Sequence, residues 1–256
     1  MSSAPPPLAG QAAFVTGAGQ GLGAAIARGL AEAGARVVLA DIDTGSAESA
    51  AAGLRAAGAA GADCIAMELD VRSEPAFARC FEAAVARFGA IDVLVNNAAR
   101  TPFISLWDIT PDEWDDVLAV NLRGSFFGCR IAGRHMRERG SGRIVNLASL
   151  AGQQPSAATG VHYAASKAAL LALTRSFAQE LAPHGVTVNA LAPAAVRSPA
   201  LDALDPARQQ AVKAAIPLGR FGEAEEVAAA VVYLASPAAA FMTGATLDLN
   251  GGRFMR

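Results

Sequence analysis

A phenol and an ammonium stand one helical turn apart at Tyr163 and Lys167, in Val161-His162-Tyr163-Ala164-Ala165-Ser166-Lys167, and the hydroxyl of Ser149 lies fourteen residues before the phenol, after the apolar run Ile144-Val145-Asn146-Leu147-Ala148. A free phenol, with a pKa of ~10, is a weak acid-base catalyst near neutrality. An ammonium one turn away stabilises the phenolate and draws that value down. Spacing of i,i+4 puts both side chains on one helix face. Proton transfer to or from an oxygen held by Ser149 is the chemistry such a trio carries. Alone, Tyr-x-x-x-Lys describes equally well a ring packed beside a solvated lysine, so the elements that position the trio decide.

Those elements follow one repeating order. Short apolar runs at 12–15, 36–39, 64–67, 91–95, 144–147, 186–190 and 246–249 alternate with helical patterns near 22–33, 46–57, 74–88, 111–137, 163–181 and 223–234. Strands apolar on both faces and separated by helices imply a parallel sheet covered on both sides. The expected fold is α/β, a doubly wound parallel sheet of about seven strands with helices on both faces. No linker or internal repeat interrupts the alternation. Residues 1–7, with Pro5-Pro6-Pro7, read as a disordered lead-in, and 8–256 as one domain. The stretch 194–213, punctuated by Pro199 and Pro206, falls between strand and helix where a lid would sit.

After the first strand, Thr16-Gly17-Ala18-Gly19-Gln20-Gly21-Leu22-Gly23 runs directly into a helix. Gly17 lets the chain turn sharply, Gly21 lets backbone approach a pyrophosphate, and Gly23 lets the helix pack on the sheet. The helix start, with Gln20 and Leu22 in the same turn, adds amide donors and a positive dipole. Asp41 closes the second strand twenty residues beyond Gly21, where a carboxylate accepts hydrogen bonds from an adenosine ribose and repels a 2′-phosphate. The cofactor this implies is NAD rather than NADP. Asp43 or Thr44 is the better N-cap for the next helix.

Composition narrows the classes further. Of 256 residues 53% are hydrophobic, and 21 basic against 23 acidic residues give a net charge of -2 with no basic cluster, which excludes a broad nucleic-acid surface. Cys64, Cys80 and Cys129 are too scattered for a disulfide framework or a metal site, and with no export signal they fit a cytoplasmic protein. The uncharged stretch 227–247 is broken by Pro237 and Gly244, so it reads as two buried elements rather than a membrane span.

Taken together, Gly17-x-x-x-Gly21-x-Gly23, Asn96-Asn97-Ala98-Ala99, Asn121-Leu122-Arg123-Gly124, Ser149, Tyr163-x-x-x-Lys167 and Asn189-Ala190-Leu191-Ala192-Pro193 resemble the short-chain dehydrogenase/reductase family in its compact single-domain form, over residues 8–252. The resemblance implies a Rossmann-like fold and the following roles. Asn121 is the catalytic Asn, placed to hold a water that links Lys167 to solvent. Ser149 polarises the carbonyl, Tyr163 is the acid/base, and Lys167 is its electrostatic partner and a ribose ligand. Asp70 and Val71 flank the adenine, Asn96 secures the sheet edge against the cofactor ribose, and Ala98, Pro193, Val196 and Ser198 are further cofactor contacts. The chain departs from the family pattern at Ala99 and Ala194, where Gly is usual, and at Ser198, where Thr is usual. Ala accepts positive φ and close approach less well than Gly, so the backbone around the nicotinamide is expected to sit differently.

Substrate-facing candidates come from 100–104, 150–162 and 194–213. Phe103, Leu150 and Leu201 would form an apolar wall, and Arg100, Gln153 and His162 would contact oxygens or a carboxylate. Arg100 stands where the family places an aliphatic residue, so it either meets an anionic partner or is a solvated surface arginine. The resulting reading is an NAD-dependent oxidoreductase interconverting a secondary alcohol and a ketone. A 3-oxoacyl carrier-protein reductase is the alternative by resemblance, opposed by Asp41 because that chemistry usually goes with NADP. A non-catalytic NAD-binding sensor is opposed by four residues with complementary roles. The resemblance also implies a homotetramer built through 111–137, 163–181 and the last strand, and Phe254, which reads as exposed, would cover a neighbouring subunit.

Overall fold

The structure is a computed structural model that describes residues 5–58, 63–155 and 159–255. Of the expected lead-in, residues 1–4 lie outside the described residues, and Pro5, Pro6 and Pro7 are exposed. The strands are β1 (Ala12–Thr16), β2 (Arg36–Asp41), β3 (Cys64–Glu68), β4 (Val93–Asn96), β5 (Gly142–Leu147), β6 (Val186–Pro193) and β7 (Thr246–Leu249). They form one parallel sheet in the order β3-β2-β1-β4-β5-β6-β7.

Side chains alternate across the sheet and build two cores. Ala13 and Val15 of β1 join Val37 and Leu39 on one face, under α1 (Gly21–Glu32), α2 (Thr44–Ala56) and α9 (Ala224–Ala235). Ala12 and Phe14 join Val38 and Ala40 on the other, under α3 (Glu74–Phe88), α5 (Gly124–Arg139) and α6 (Val161–Leu181). Burial on both faces is why these strands read as continuous apolar runs. Phe14 stacks on Phe77 with ring centroids 5.9 Å apart. Helix starts are capped by Asp43, which accepts from the Ser46 amide at 3.1 Å, and by Ser73, which accepts from Ala76 at 3.3 Å.

Three elements differ from their sequence expectation. The helix expected over 111–137 is α4 (Pro111–Leu118), a π-helical turn (Ala119–Arg123) and α5 in succession. β6 continues past 190 to Pro193 because its last residues pair with β7, Ala192 with Asp248 and Pro193 with Leu249. The stretch 194–213 contains two short helices, α7 (Pro199–Asp202) and α8 (Pro206–Ala214), each opening on its proline after an N-cap side chain. Residues 227–247 split into α9, a 3-10 turn (Pro237–Ala239) and the start of β7, and among the described residues no helix is long and apolar enough to cross a membrane.

Strand order reverses between β1 and β4. The chain leaves these neighbours toward opposite faces, which opens a crevice beyond their C-terminal ends. The glycine turn, the Asn96-Asn97 turn and the Ser149 turn all emerge there.

Candidate active site

The crevice holds a cavity of about 650 Å³ whose lining includes Gly17, Gln20, Leu22, Gly23, Asp41 and, further along, Asp70, Val71, Ala98, Pro193 and Val196. Gly17 leaves β1 with φ +64°, and a Cβ there would lie 2.8 Å from the Cα of Ala98. A Cβ at Gly23 would strike the Gly17 carbonyl and come within 2.6 Å of Asn97 Nδ2. At Gly21 (φ +52°) the space a Cβ would occupy is open. Bare backbone at a helix start with room in front of it fits the diphosphate of a dinucleotide. Asp41 closes one end of this cradle: Oδ2 accepts from the Gly19 amide at 2.8 Å and Oδ1 from the Asp43 amide at 3.0 Å.

The turn is braced from β4. Thr16 Oγ1 accepts from the amides of Asn97 (3.0 Å) and Ala98 (3.1 Å), and Asn97 Nδ2 donates to the carbonyls of Thr16 (3.0 Å) and Gly17 (2.9 Å). Sequence reasoning missed Thr16 and Asn97. Their signal was position, since each sits at the end of a strand that borders the switch point.

Ser149 follows β5, and its Oγ accepts from the Ala151 amide at 3.1 Å, capping a 3-10 turn (Leu150–Gly152). A Cβ at Gly152 would lie 2.6 Å from the backbone of Lys167 and Ala168, so this glycine lets the turn rest on α6. The Tyr163 hydroxyl pairs with the side chains of Ser149 and Thr101. Tyr163 and Lys167 both line the cavity, with Lys167 Nζ 5.6 Å from the Tyr163 ring centre.

The electrostatics differ from the expected arrangement. Burial pushes the Tyr163 phenol above its usual value, against the hydrogen bonds from Ser149 and Thr101 that lower it. Lys167 is 3% exposed, and burial lowers its pKa to about 8. Its Nζ donates to the Leu147 carbonyl at 2.6 Å rather than to the phenol. The predicted depression of the Tyr163 pKa by Lys167 is therefore absent in this arrangement.

The lowered Lys167 value has a consequence for folding. Above about pH 8 the unfolded chain holds a proton on Lys167 that the folded chain has lost, so the cost of burying this lysine shrinks as pH rises toward the unfolded value. The unfolding free energy of the parent is expected to gain about 2 kcal/mol on that of Lys167→Met between about pH 7.5 and pH 9.5. Urea unfolding of both proteins at the two pH values checks this; a constant difference would mean that Lys167 titrates as in water.

Asn121 sits in the π-helical turn and is fully buried. Its Oδ1 accepts from the Arg100 amide at 2.8 Å, and its Nδ2 donates to the Arg100 carbonyl at 2.9 Å and to Ser166 Oγ at 3.1 Å. Both amide protons are thus committed, and the side chain clamps the segment carrying Thr101 instead of offering a donor to a water beside Lys167. The Arg100 guanidinium pairs with Asp116 and, at 3.5 Å, with Glu113, both on α4. Asp116 also takes Arg72 at 3.0 Å, and Arg72 grips Asp70 at 2.8 Å. Arg100 was expected to meet a cofactor phosphate or a substrate carboxylate, or else to stand solvated; the structure instead pairs it with two carboxylates of its own chain.

Other sequence candidates lie elsewhere. Asn96 points into the core, where Nδ2 donates to Asn146 Oδ1 at 2.8 Å and Asn146 in turn donates to Thr174 Oγ1 at 2.9 Å. Ser198 is the N-cap of α7, accepting from the Leu201 amide at 3.4 Å, and does not line the cavity. The apolar wall is not assembled: Phe103 is 68% exposed while Leu150 is buried. His162 is buried with both ring nitrogens unpartnered, its Nε2 3.8 Å from Glu113 Oε1. Gln153 donates to Asp248 at 2.7 Å. Of the candidate loop 150–162, residues 156–158 lie outside the described residues. Phe254 is half-buried, and its carbonyl accepts from Asn250 Nδ2 at 2.9 Å.

Comparison with known proteins bears on this geometry. A family model described as enoyl-(acyl carrier protein) reductase matches residues 17–253. The chain is 41% identical to the short-chain reductase protein NovJ of Streptomyces niveus over 251 residues, covering 94% of this chain and 93% of that one. It is 39% identical to the 3-oxoacyl-[acyl-carrier-protein] reductase FabG of Vibrio cholerae over 248 residues, covering 97% and 99%. The crystal structure of gox2181 superposes with a TM-score of 0.92 at 34% identity over 96% of each chain. A short-chain type dehydrogenase/reductase from Mycobacterium marinum superposes with a TM-score of 0.89 at 32% identity over 97% of each chain.

Proposed function

Because the chain belongs to the short-chain dehydrogenase/reductase family, we propose that it interconverts a secondary alcohol and a ketone, with NAD preferred as cofactor and residues 8–256 acting as one domain. The observation that carries this reading is the pairing of the Tyr163 and Ser149 hydroxyls at the cavity. The reading extends to a cytoplasmic homotetramer, which the family favours.

A bound nicotinamide supplies the acceptor or donor for hydride. The glycine turn and the start of α1 would hold the diphosphate, Asp41 would accept from the adenosine ribose, and Asp70 and Val71 would border the adenine. Ser149 Oγ accepts from the Ala151 amide, so its one proton, directed at Tyr163 here, would turn to the substrate oxygen and hold it beside the Tyr163 hydroxyl. In reduction Tyr163 delivers its proton to that oxygen, and in oxidation it removes the alcohol proton. With the phenol pushed up, the protonated form is ready for reduction. Oxidation requires Lys167 Nζ to turn from the Leu147 carbonyl toward the phenolate, and Lys167 would also be the residue that holds the ribose hydroxyls of a bound cofactor.

Asp41 supports the cofactor choice. Asp41→Ala is expected to shrink the preference for NAD over NADP in kcat/KM by about 30-fold or more, since lost ribose hydrogen bonds and relieved repulsion are each worth on the order of 1 to 2 kcal/mol. A preference unchanged within threefold would remove Asp41 from cofactor selection.

The identity to FabG favours a second reading, in which the ketone belongs to a 3-oxoacyl carrier-protein thioester. The residue roles are the same, so turnover separates the two. A 3-oxoacyl thioester whose ketone is reduced at least tenfold more efficiently than simple ketones would establish the second reading.

A further inference from the structure

The turn that carries Ser149 is joined to the last strand by one side-chain pair that the reaction scheme does not use. Gln153 Nε2 donates to Asp248 Oδ1 at 2.7 Å, while Gln153 Oε1 is buried without a hydrogen-bond partner. Gln153 closes the turn that Ser149 begins: the Gly152 amide donates to the Ser149 carbonyl at 3.0 Å and the Gln153 amide to the Leu150 carbonyl at 2.9 Å. Asp248 lies in β7 opposite Ala192, and the next carbonyl, of Leu249, accepts from the Ala194 amide at 2.9 Å. The pair therefore passes over the end of β6 and ties Ser149 to the strand that supports Pro193 and Ala194, both of which line the cavity.

A buried amide with one idle end is destabilising, and a shape-matched apolar side chain would hold a turn at lower cost. What a charge-assisted hydrogen bond adds is direction, because it fixes one rotamer of Gln153 and with it the seat of Gly152 on α6. We propose that Gln153 and Asp248 form a positioning pair that sets the separation between the Ser149 hydroxyl and the Pro193–Ala194 wall. The pair acts through these residues without touching the substrate, and the inference rests on the oxidoreductase reading.

Gln153→Glu sets a carboxylate against Asp248, whereas Gln153→Glu combined with Asp248→Asn restores one donor and one acceptor in reversed order. The single variant is expected to lose tenfold or more in kcat, with substrate KM and NADH Kd, from fluorescence titration, within threefold of the parent. The double variant is expected to return kcat to within threefold. Gln153→Met, of similar length but without the donor, is expected to lose kcat in the same way and serves if the glutamate variant does not fold. Thermal unfolding of each variant separates positioning from support: a lowered Tm with unchanged kcat per folded molecule overturns the proposal, as does a double variant no faster than Gln153→Glu. A parent that binds NADH and turns over no alcohol or ketone overturns the oxidoreductase reading and this one with it. An active parent indifferent to Gln153→Glu and Gln153→Met overturns this one alone.

Discussion

Tyr163→Phe is expected to leave NADH affinity within about twofold of the parent while lowering kcat by about 10²- to 10⁴-fold, the range in which a positioned acid-base group contributes. The substitution keeps the ring and removes only the hydroxyl that pairs with Ser149 and Thr101. The ring's packing in the cavity lining is retained, so affinity reports whether the cleft survives and kcat reports proton transfer. Steady-state kinetics alongside a fluorescence titration with NADH make the comparison. A residual kcat within tenfold of the parent would remove the acid/base role from Tyr163.

Lys167→Met is expected to damage both quantities. A charged hydrogen bond is worth about 1.5 to 3 kcal/mol, so losing the ribose contact weakens NADH binding by about tenfold or more. Losing the cation opposite the phenolate lowers kcat as well, most severely for oxidation, where Tyr163 must carry negative charge. The same titration and kinetics read both effects. Unchanged NADH affinity would confine Lys167 to the phenol and to the Leu147 carbonyl that it holds at 2.6 Å.

The sheet was legible because its strands are apolar on both faces and regularly spaced, so period and length alone separate them from the helices. The glycine turn was legible because each of its glycines answers a backbone requirement. Asn96 shows where such reading stops. Consecutive residues at a strand end point to opposite sides, and of two adjacent amides nothing local tells which faces the crevice; the structure turns Asn97 toward the glycine turn and Asn96 into the core. Lys167 fails for a different reason. Its hydrogen-bond partner is a main-chain carbonyl twenty residues away on β5, which no side-chain pattern announces. Sequence leaves Arg100 between an anionic ligand and solvent because its own partners are carboxylates on a separate helix, the nearer in sequence thirteen residues on. The i,i+4 spacing of Tyr163 and Lys167 announces a shared helix face, and the structure lines the cavity with both, but spacing does not give the direction in which either pKa moves, because burial acts on each.

The most direct test of the account is turnover of the parent protein on a panel of secondary alcohols and their ketones, each assayed with NAD(H) and with NADP(H) by the absorbance of the reduced nicotinamide. The account predicts alcohol-dependent reduction of NAD and ketone-dependent oxidation of NADH on at least one pair, with kcat/KM favouring NAD(H) over NADP(H) by about 30-fold or more, as expected from ribose hydrogen bonds to Asp41 together with its repulsion of a 2′-phosphate. Equal or better kcat/KM with NADPH would contradict the cofactor assignment. Tight NADH binding with no turnover on any pair would contradict the enzyme itself and leave a dinucleotide sensor in its place.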